Sequence, residues 1–508
     1  MTGRRISRRK ALAWASASLA AMPVGTRLLQ AQGTPVIANT LPELVIDLSG
    51  EPVSIDPAIA YSPTDWSIVH AIYDALVGFD AKGEIQPIAA ERFEVVDELT
   101  FEATLREGMT FHDGSAVTAD AVIRGMDHVR GGDSLVVDLF STVEEVRRVD
   151  DLTVHIVCSE PSPWLPAQMA TWHVLLPEGA TPDSMATEPI GSGPYRLASW
   201  ERGSEIALER FEDYAPAPAK GVAIADVVRY HFVPDASTRI SNLLSGGSQL
   251  ITDVPFDMQS TVEDDGALVR SQSLAGSAWI RIATDVEPFS DVRVRQALNL
   301  ALDIDKFPGA LIFEDSRRLA SIHPGEESLG FDPDLEPWAY DPEQAASLLS
   351  DAGYGEGLDT VLQMTTGSNQ SVAEAIAAQW GEVGINVELQ VADYAQFNAD
   401  WSDPAAPPLK MATWSPLFDP HTLLSLVWAS DGVLSRYSND EADELIREAA
   451  VEPDRDERRS LYQQLARVMH EDAAAVWLWN LVAVYGLSDD IPAWSSRHDE
   501  WVLPLFRD

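Results

Sequence analysis

Short segments that alternate apolar and polar residues take turns with longer segments of helical period, and proline and glycine mark the joins between them. That alternation predicts an α/β fold in which helices cover a sheet. Leu44–Leu48 reads as a strand, Glu51–Pro57 as a loop, and Thr64–Val77 as an amphipathic helix. Phe93–Val96 and Thr100–Leu105 read as a hairpin or meander, closed by the turn Gly108–Gly114, after which Thr118 caps a helix through Val129. The later third is more helical. Ser290 is the expected cap of a helix within Phe289–Asp305, with Asp291 in its first turn and Val294, Ala297, Leu298 and Ala301 on one buried face. Arg293 and Arg295 fall off that face. Asp341-Pro342-Glu343-Gln344 is a cap with proline at the first helical position, Ala345, Leu348, Leu349 and Ala352 form the stripe, and Gly353 stops the helix. Another helix covers Ser371–Val383 and leads to a strand at Ile385–Leu389. One more starts near Asn439, and a last one carries Leu461, Leu465, Val468 and Met469 on one face.

The 508 residues suit two or three globular domains with substantial cores. Thirty-five basic residues stand against 80 acidic ones, a net charge of −45. Such a surface argues against nucleic acid and against an anionic membrane. A solvated acidic surface accounts for it, and a general attraction for cationic ligands is the alternative.

The first 31 residues are different: Arg4, Arg5, Arg8, Arg9, Lys10 and Arg27 are basic, and no acid is present. Ser7-Arg8-Arg9 followed by Lys10-Ala11-Leu12 reads as a twin-arginine export signal. Ala11–Val24 is too short for a membrane helix and fits a signal-peptide core. Cleavage is expected after Ala31, with Leu29 standing where a small residue is usual. The one cysteine, Cys158, excludes an intrachain disulfide and reads as buried filler. It lies far from the cleavage region, so the expectation is a soluble periplasmic protein with no lipid anchor.

A series of motifs runs in order along the chain: Arg106–Gly114 with Thr118–Val122, Gly191-Ser192-Gly193-Pro194-Tyr195, Phe289–Asp305, Leu348–Tyr354, Gly384–Val387, Trp414–Pro420, Tyr437-Ser438-Asn439, and Glu457–Tyr462 leading to Trp477-Leu478-Trp479. Together they resemble bacterial extracellular solute-binding proteins of family 5, the peptide-, nickel- and opine-type receptors of ABC importers. They span nearly all of the chain beyond the leader. The resemblance implies a periplasmic binding protein type II-like fold with two lobes, a hinge and three domains. After the signal peptide at 1–31, domain I would comprise 38–73, 190–275 and 482–508. Domain II would be 74–189 and domain III 276–481. Hinge strands would fall near Leu274–Ile282 and Trp479–Val484, and closure about them would bury the ligand.

The resemblance also implies the site. Trp414, Ser415, Phe418 and Asp419 lie in the segment that carries a ligand-stacking tryptophan and, three residues beyond it, a carboxylate for a peptide's α-ammonium. Here that place holds Leu417. An ammonium buried without a partner is costly. Asp419 replaces the missing acid only if the loop shifts; otherwise it fixes the turn before Pro420. His421 reads as a capping or packing residue, not a metal ligand. Tyr61, Ser62 and Pro63 match a strand running along the ligand, Trp279 matches an aromatic of the first hinge segment, and Trp479, where the second begins, is a further candidate. Arg281 and Arg436 are sources of positive charge in the cleft or members of structural ion pairs. With 15 tryptophans an aromatic-walled pocket is easily built.

The implied function is capture of a short peptide and its delivery to ABC permease subunits, by a monomer that meets the membrane only through the transporter and needs no cofactor. Another solute (an opine, amino-acid derivative, saccharide or chelated metal) is the alternative within the same role. A chemosensor receptor or holdase and a secreted hydrolase are the rivals. No GxSxG, GxxxxGK[ST] or HExxH motif is present, and His112-Asp113-Gly114 is an isolated pair of the kind found in turns.

Overall fold

Two long strands, Leu268–Ile282 and Ala475–Leu487, organise the molecule. The first is buried without interruption from Leu274 to Ile282, as a strand covered on both faces must be. They pair antiparallel from Leu268 opposite Leu487 to Arg281 opposite Ala475, and their register slips between Ser273 and Trp279. Gly276 lies in that slip. A Cβ there would meet Ser415 Cβ at 2.8 Å and Leu481 Cδ1 at 2.9 Å, so only glycine lets the loop after Trp414 pass so close.

This computed structural model describes residues 40–506 apart from 81, 367, 368, 490, 492 and 493. The twin-arginine motif, the signal peptide and its cleavage site lie outside the described residues.

The long pair joins the halves of one ten-stranded mixed sheet. Beyond Ala475–Leu487 come Leu250–Ile251, Leu41–Leu48, Ala225–Phe232, Glu205–Arg210 and Tyr195–Glu201. Beyond Leu268–Ile282 come Leu409–Trp414, Leu358–Thr365 and Ile385–Ala392, which run parallel to one another. A separate antiparallel sheet has the order Ala90–Asp97, Thr100–Leu105, Thr153–Cys158, Val143–Arg148. The helices Ala119–Val129 and Leu165–Trp172 share its core, in which Cys158 is buried. The α/β class read from the alternation is the class observed.

Long-range contacts adjust several local readings. The helix expected over Thr64–Val77 is Pro63–Ile72. It stops because the return turn sits on its last carbonyl: Gly193 N donates to Ile72 O at 2.8 Å, and a Cβ on Gly191 would lie 2.0 Å from that oxygen. Thr118 precedes its helix but makes no side-chain cap; the Asp151 carbonyl accepts from Ala119 N instead. The helix expected to start at Ser290 is Val292–Leu300, capped by Asp291. Arg295, expected off the buried face, is itself buried. Its guanidinium donates to the Phe289 carbonyl at 2.9 Å and to Asp472 Oδ1 at 2.6 Å, which ties the helix to the end of Arg455–Glu471. Asp341, Asn369, Asn439 and Asp454 cap the later helices as their chemistry demands.

The C-terminal segment folds back onto the first half of the large sheet. Trp494, Trp501, Val502, Leu503 and Leu505 are buried among Leu44, Ile46, Ile68 and Tyr230. Val502 N donates to Ser67 Oγ at 2.8 Å, and Tyr230 and Tyr195 hydroxyls donate to the carbonyls of Val502 and Pro504. Unsatisfied hydroxyls in such a core are costly, so these bonds fix where the segment runs.

Candidate functional site

A cavity of about 1120 Å³ opens where the long strands slip register. Ala278, Trp479, Leu481 and Val482 form its floor, and the end of the strand Leu409–Trp414 continues it. One side is aromatic and belongs to the N-terminal helix and to Leu165–Trp172. Trp66 and Trp172 meet edge to face at 5.7 Å between centroids, and Tyr61 lies 6.2 Å from Trp172. The opposite side carries Trp414, Phe397 and Trp401, the last two edge to face at 5.6 Å. Rigid aromatic walls with few polar groups suit an amphipathic solute. Gln168, Ser316, Asn369, Ser371, Asn398 and Thr422 supply neutral hydrogen-bonding groups.

The loop after Trp414 is tightly held. Ser415–Pro416 is a cis peptide, and Leu417 N donates to the Ala275 carbonyl. Leu417 is 1% exposed and packs in the core around Trp279 and Trp428, so the expected place of an amine-binding carboxylate turns away from the cavity. Phe418 lines the cavity and packs on Phe79 at 4.4 Å between centroids. Asp419 lines it as well, but its Oδ2 pairs with Arg458 Nη2 at 2.6 Å and its Oδ1 accepts from His421 N at 3.1 Å. Of the two readings for Asp419, its geometry matches the turn-fixing one. His421 stacks on Trp164 at 4.4 Å, and burial pushes its pKa down to about 4, so it packs there as a neutral ring. Among the described residues no group of three or more His, Cys, Asp or Glu side chains is placed to hold a metal.

Tyr61, Trp414, Ser415, Phe418, Asp419 and Trp479 therefore lie together on the cavity wall. Four other residues expected in the cleft lie elsewhere. Ser62 is the cap of the helix Pro63–Ile72 and accepts from Asp65 N at 3.1 Å. Trp279 is fully buried behind the wall, 5.3 Å from Trp428 and 6.0 Å from Trp401, because its side of the strand faces the helical core. Arg281 is spent on backbone, donating to the Trp401 carbonyl at 2.6 Å and the Pro407 carbonyl at 3.2 Å. Burial, and Arg436 nearby, lower its pKa to about 9. Arg436 pairs with Asp285 at 2.9 Å. Arg436 thus makes the structural ion pair that was the alternative, whereas Arg281 makes no ion pair among the described residues and holds backbone carbonyls instead.

Sequence reasoning missed Trp66, Trp172, Phe397, Trp401 and Glu500, all on the wall. The first four belong to stretches that read equally well as core. Glu500 lies in an irregular segment with no periodicity to read.

Contacts also bridge the cavity's two sides beyond its floor. Gln168 Nε2 donates to Thr422 Oγ1 at 2.8 Å, Arg455 pairs with Glu84 at 3.2 Å, and the Trp164–His421 stack runs between the same elements. A Cβ on Gly83 would lie 2.4 Å from the Glu327 carbonyl, which shows how closely the turn approaches the loop across from it.

Comparison with known proteins agrees with this architecture. The glutathione-binding protein GsiB of Pectobacterium atrosepticum is 28% identical over 469 residues, covering 86% of this chain and 88% of that protein. The crystal structure of the ABC transporter substrate-binding protein CtaP of Listeria monocytogenes superposes with a TM-score of 0.81 at 23% identity, over 92% of this chain and 98% of that one. The periplasmic binding protein DppA of Helicobacter pylori, in complex with the peptide STSA, gives 0.76 at 23% identity over 92% and 97%. These establish the periplasmic binding protein type II-like fold. The profile of the bacterial extracellular solute-binding proteins, family 5, matches residues 84–435, and the chain belongs to that family of receptors.

Proposed function

We propose that this protein is the substrate-binding component of an ABC importer that captures a short peptide in the cavity and delivers it to the membrane permease. The observation that carries this reading is the cavity itself: about 1120 Å³, walled by aromatics on both sides and floored by the two strands that join the halves of the sheet. Glutathione, the ligand in the name of the GsiB relative, is itself a tripeptide. The reading includes the three-domain division, with domain I at 38–73, 190–275 and 482–508, domain II at 74–189 and domain III at 276–481. It also includes hinge closure about the long strands. Gln168–Thr422 and Glu84–Arg455 are the contacts that would hold the closed form, and ligand and closure would draw on one equilibrium. No helix among the described residues is long and apolar enough to cross a membrane. A monomer exported to the periplasm by the twin-arginine route, without a lipid anchor, completes the proposal.

A thermal-shift screen of protein freed of co-purified ligand tests it, because a ligand that binds only the native state raises the melting temperature. Di- to pentapeptides are expected to give the shift. A shift from opines, saccharides or amino-acid derivatives, with none from peptides, contradicts the peptide assignment. Turnover of a peptide on long incubation would contradict the receptor role.

A further inference from the structure

Three acidic side chains line the cavity, Asp257, Asp419 and Glu500, and no lysine or arginine does among the described residues. Asp419 is neutralised by Arg458. Asp257 is exposed, in the short turn Phe256–Met258. Glu500 differs from both. It is partly buried, and its carboxylate has no hydrogen-bond or ion-pair partner among the described residues. The adjacent cation is already committed: Arg497 Nε donates to Asp499 Oδ1 at 2.7 Å, its Nη2 pairs with the other oxygen, and its guanidinium lies 5.2 Å from the Trp501 ring centroid.

The backbone at Glu500 is strained as well. Its φ is +67°, and only three non-glycine residues among those described have positive φ. Asp253, at φ +53°, is another, and its charge bears on Glu500. Burial first, then the charges of Asp253 and Asp499, raise the Glu500 carboxyl to about 8. The surrounding fold imposes the position: Trp501 stacks on His70 at 4.1 Å and lies 6.0 Å from Trp66, which itself lines the cavity. A non-glycine residue held left-handed by its neighbours, with an acid that folding leaves unpaired, stores free energy that a ligand can relieve.

We infer that Glu500 is the carboxylate that receives the ligand's ammonium group, so that the cavity selects peptides with a free amino terminus and disfavours solutes of net negative charge. This rests on the peptide-receptor reading above and assigns its specificity. A charge-assisted N–H···O bond from the ammonium would satisfy the partly buried acid of the wall that has no partner among the described residues and neutralise its repulsion with Asp253 and Asp499. Among the described residues no wall cation is available for a ligand carboxylate. Ser316, Asn369, Ser371 and Asn398 offer neutral groups for peptide amides and carbonyls.

The test is titration calorimetry of the wild type and Glu500→Gln, both freed of co-purified ligand. The probe is one pool of C-terminally amidated tetrapeptides with uncharged side chains, prepared with free and with acetylated amino termini. Acetylation is expected to weaken binding to the wild type about ten-fold or more, as loss of a charge-assisted bond does. Glu500→Gln is expected to bind the two forms alike. Equal binding of both forms by the wild type, or an undiminished preference in Glu500→Gln, overturns the anchor and leaves peptide capture standing. The acetylation comparison needs no variant, so it decides even if Glu500→Gln fails to fold. Binding of neither pool overturns peptide capture. The same pair of proteins is then titrated with non-peptide organic amines, and binding indifferent to Glu500→Gln overturns the anchor too.

Discussion

The loop Trp414–His421 and the C-terminal run Arg497–Trp501 both present an acid to the same cavity, and they treat it in opposite ways. In the loop the acid and its neighbours are held: Asp419 by Arg458 and His421 N, Leu417 N by the Ala275 carbonyl, the His421 ring by Trp164, while the Ser415 hydroxyl is buried without a partner among the described residues. In the C-terminal run Arg497 is taken by Asp499, and Glu500, in a left-handed conformation, has no partner among the described residues. The loop is built for rigidity and the run keeps an unpaired carboxyl group that a cation can draw into its charged form. A bound cationic group would complete the second region and would have no vacancy in the first.

The largest effects should come from breaking the rigid side. Trp279→Ala empties a fully buried site behind the wall and is expected to cost about 3–5 kcal/mol in denaturant unfolding. Trp414, on the neighbouring strand, is only partly buried. Trp414→Ala should leave the unfolding midpoint nearly unchanged and weaken peptide binding about ten-fold, roughly 1.4 kcal/mol. Unfolding in that variant would instead place Trp414 in the core. Arg458→Ala strands Asp419 beside the buried Tyr462 and should cost about 3 kcal/mol. Adding Asp419→Asn to Arg458→Ala should recover part of that loss if the ion pair is purely structural.

The smallest effect runs the other way. The Glu500 carboxyl titrates near 8 in the folded protein and near 4.5 in the unfolded chain. Between those values the folded state binds the extra proton, so stability contributed at low pH is withdrawn as pH rises from about 4.5 to about 8. Glu500→Gln should therefore leave the melting temperature of the ligand-free protein unchanged at pH 4 and raise it by about 2 °C or more at pH 9. A variant that melts lower at pH 9 would mean that Glu500 has a partner, and the contrast with Asp419 would disappear.

Much of the frame was legible because periodicity and capping are local. Asp341, Asn439 and the stripe at Leu465 and Met469 could be read directly, whereas the two long strands were expected only through the family resemblance, near Leu274–Ile282 and Trp479–Val484, and run longer than that. Errors arose where a distant segment decides. The helix ends at Ile72 because the distant turn at Gly193 occupies its carbonyl, and Arg295 is buried because Asp472 awaits it. The site was half legible for the same reason. Trp414 and Trp479 sit in recognisable motifs and line the cavity, whereas Trp279 differs from them only in which face of its strand meets the core. Glu500 offered no local signal: its role depends on Asp499 taking Arg497 and on the fold bringing residues 497–501 beside Trp66.

The most direct test of the account is a crystal structure of the protein bound to the free-amine tetrapeptide that gives the largest thermal shift. The account predicts the peptide inside the cavity in contact with Trp414, with its ammonium nitrogen about 2.7–3.2 Å from the Glu500 carboxylate. A peptide bound outside the cavity, or an ammonium held by Asp419 with Arg458 displaced, would contradict it.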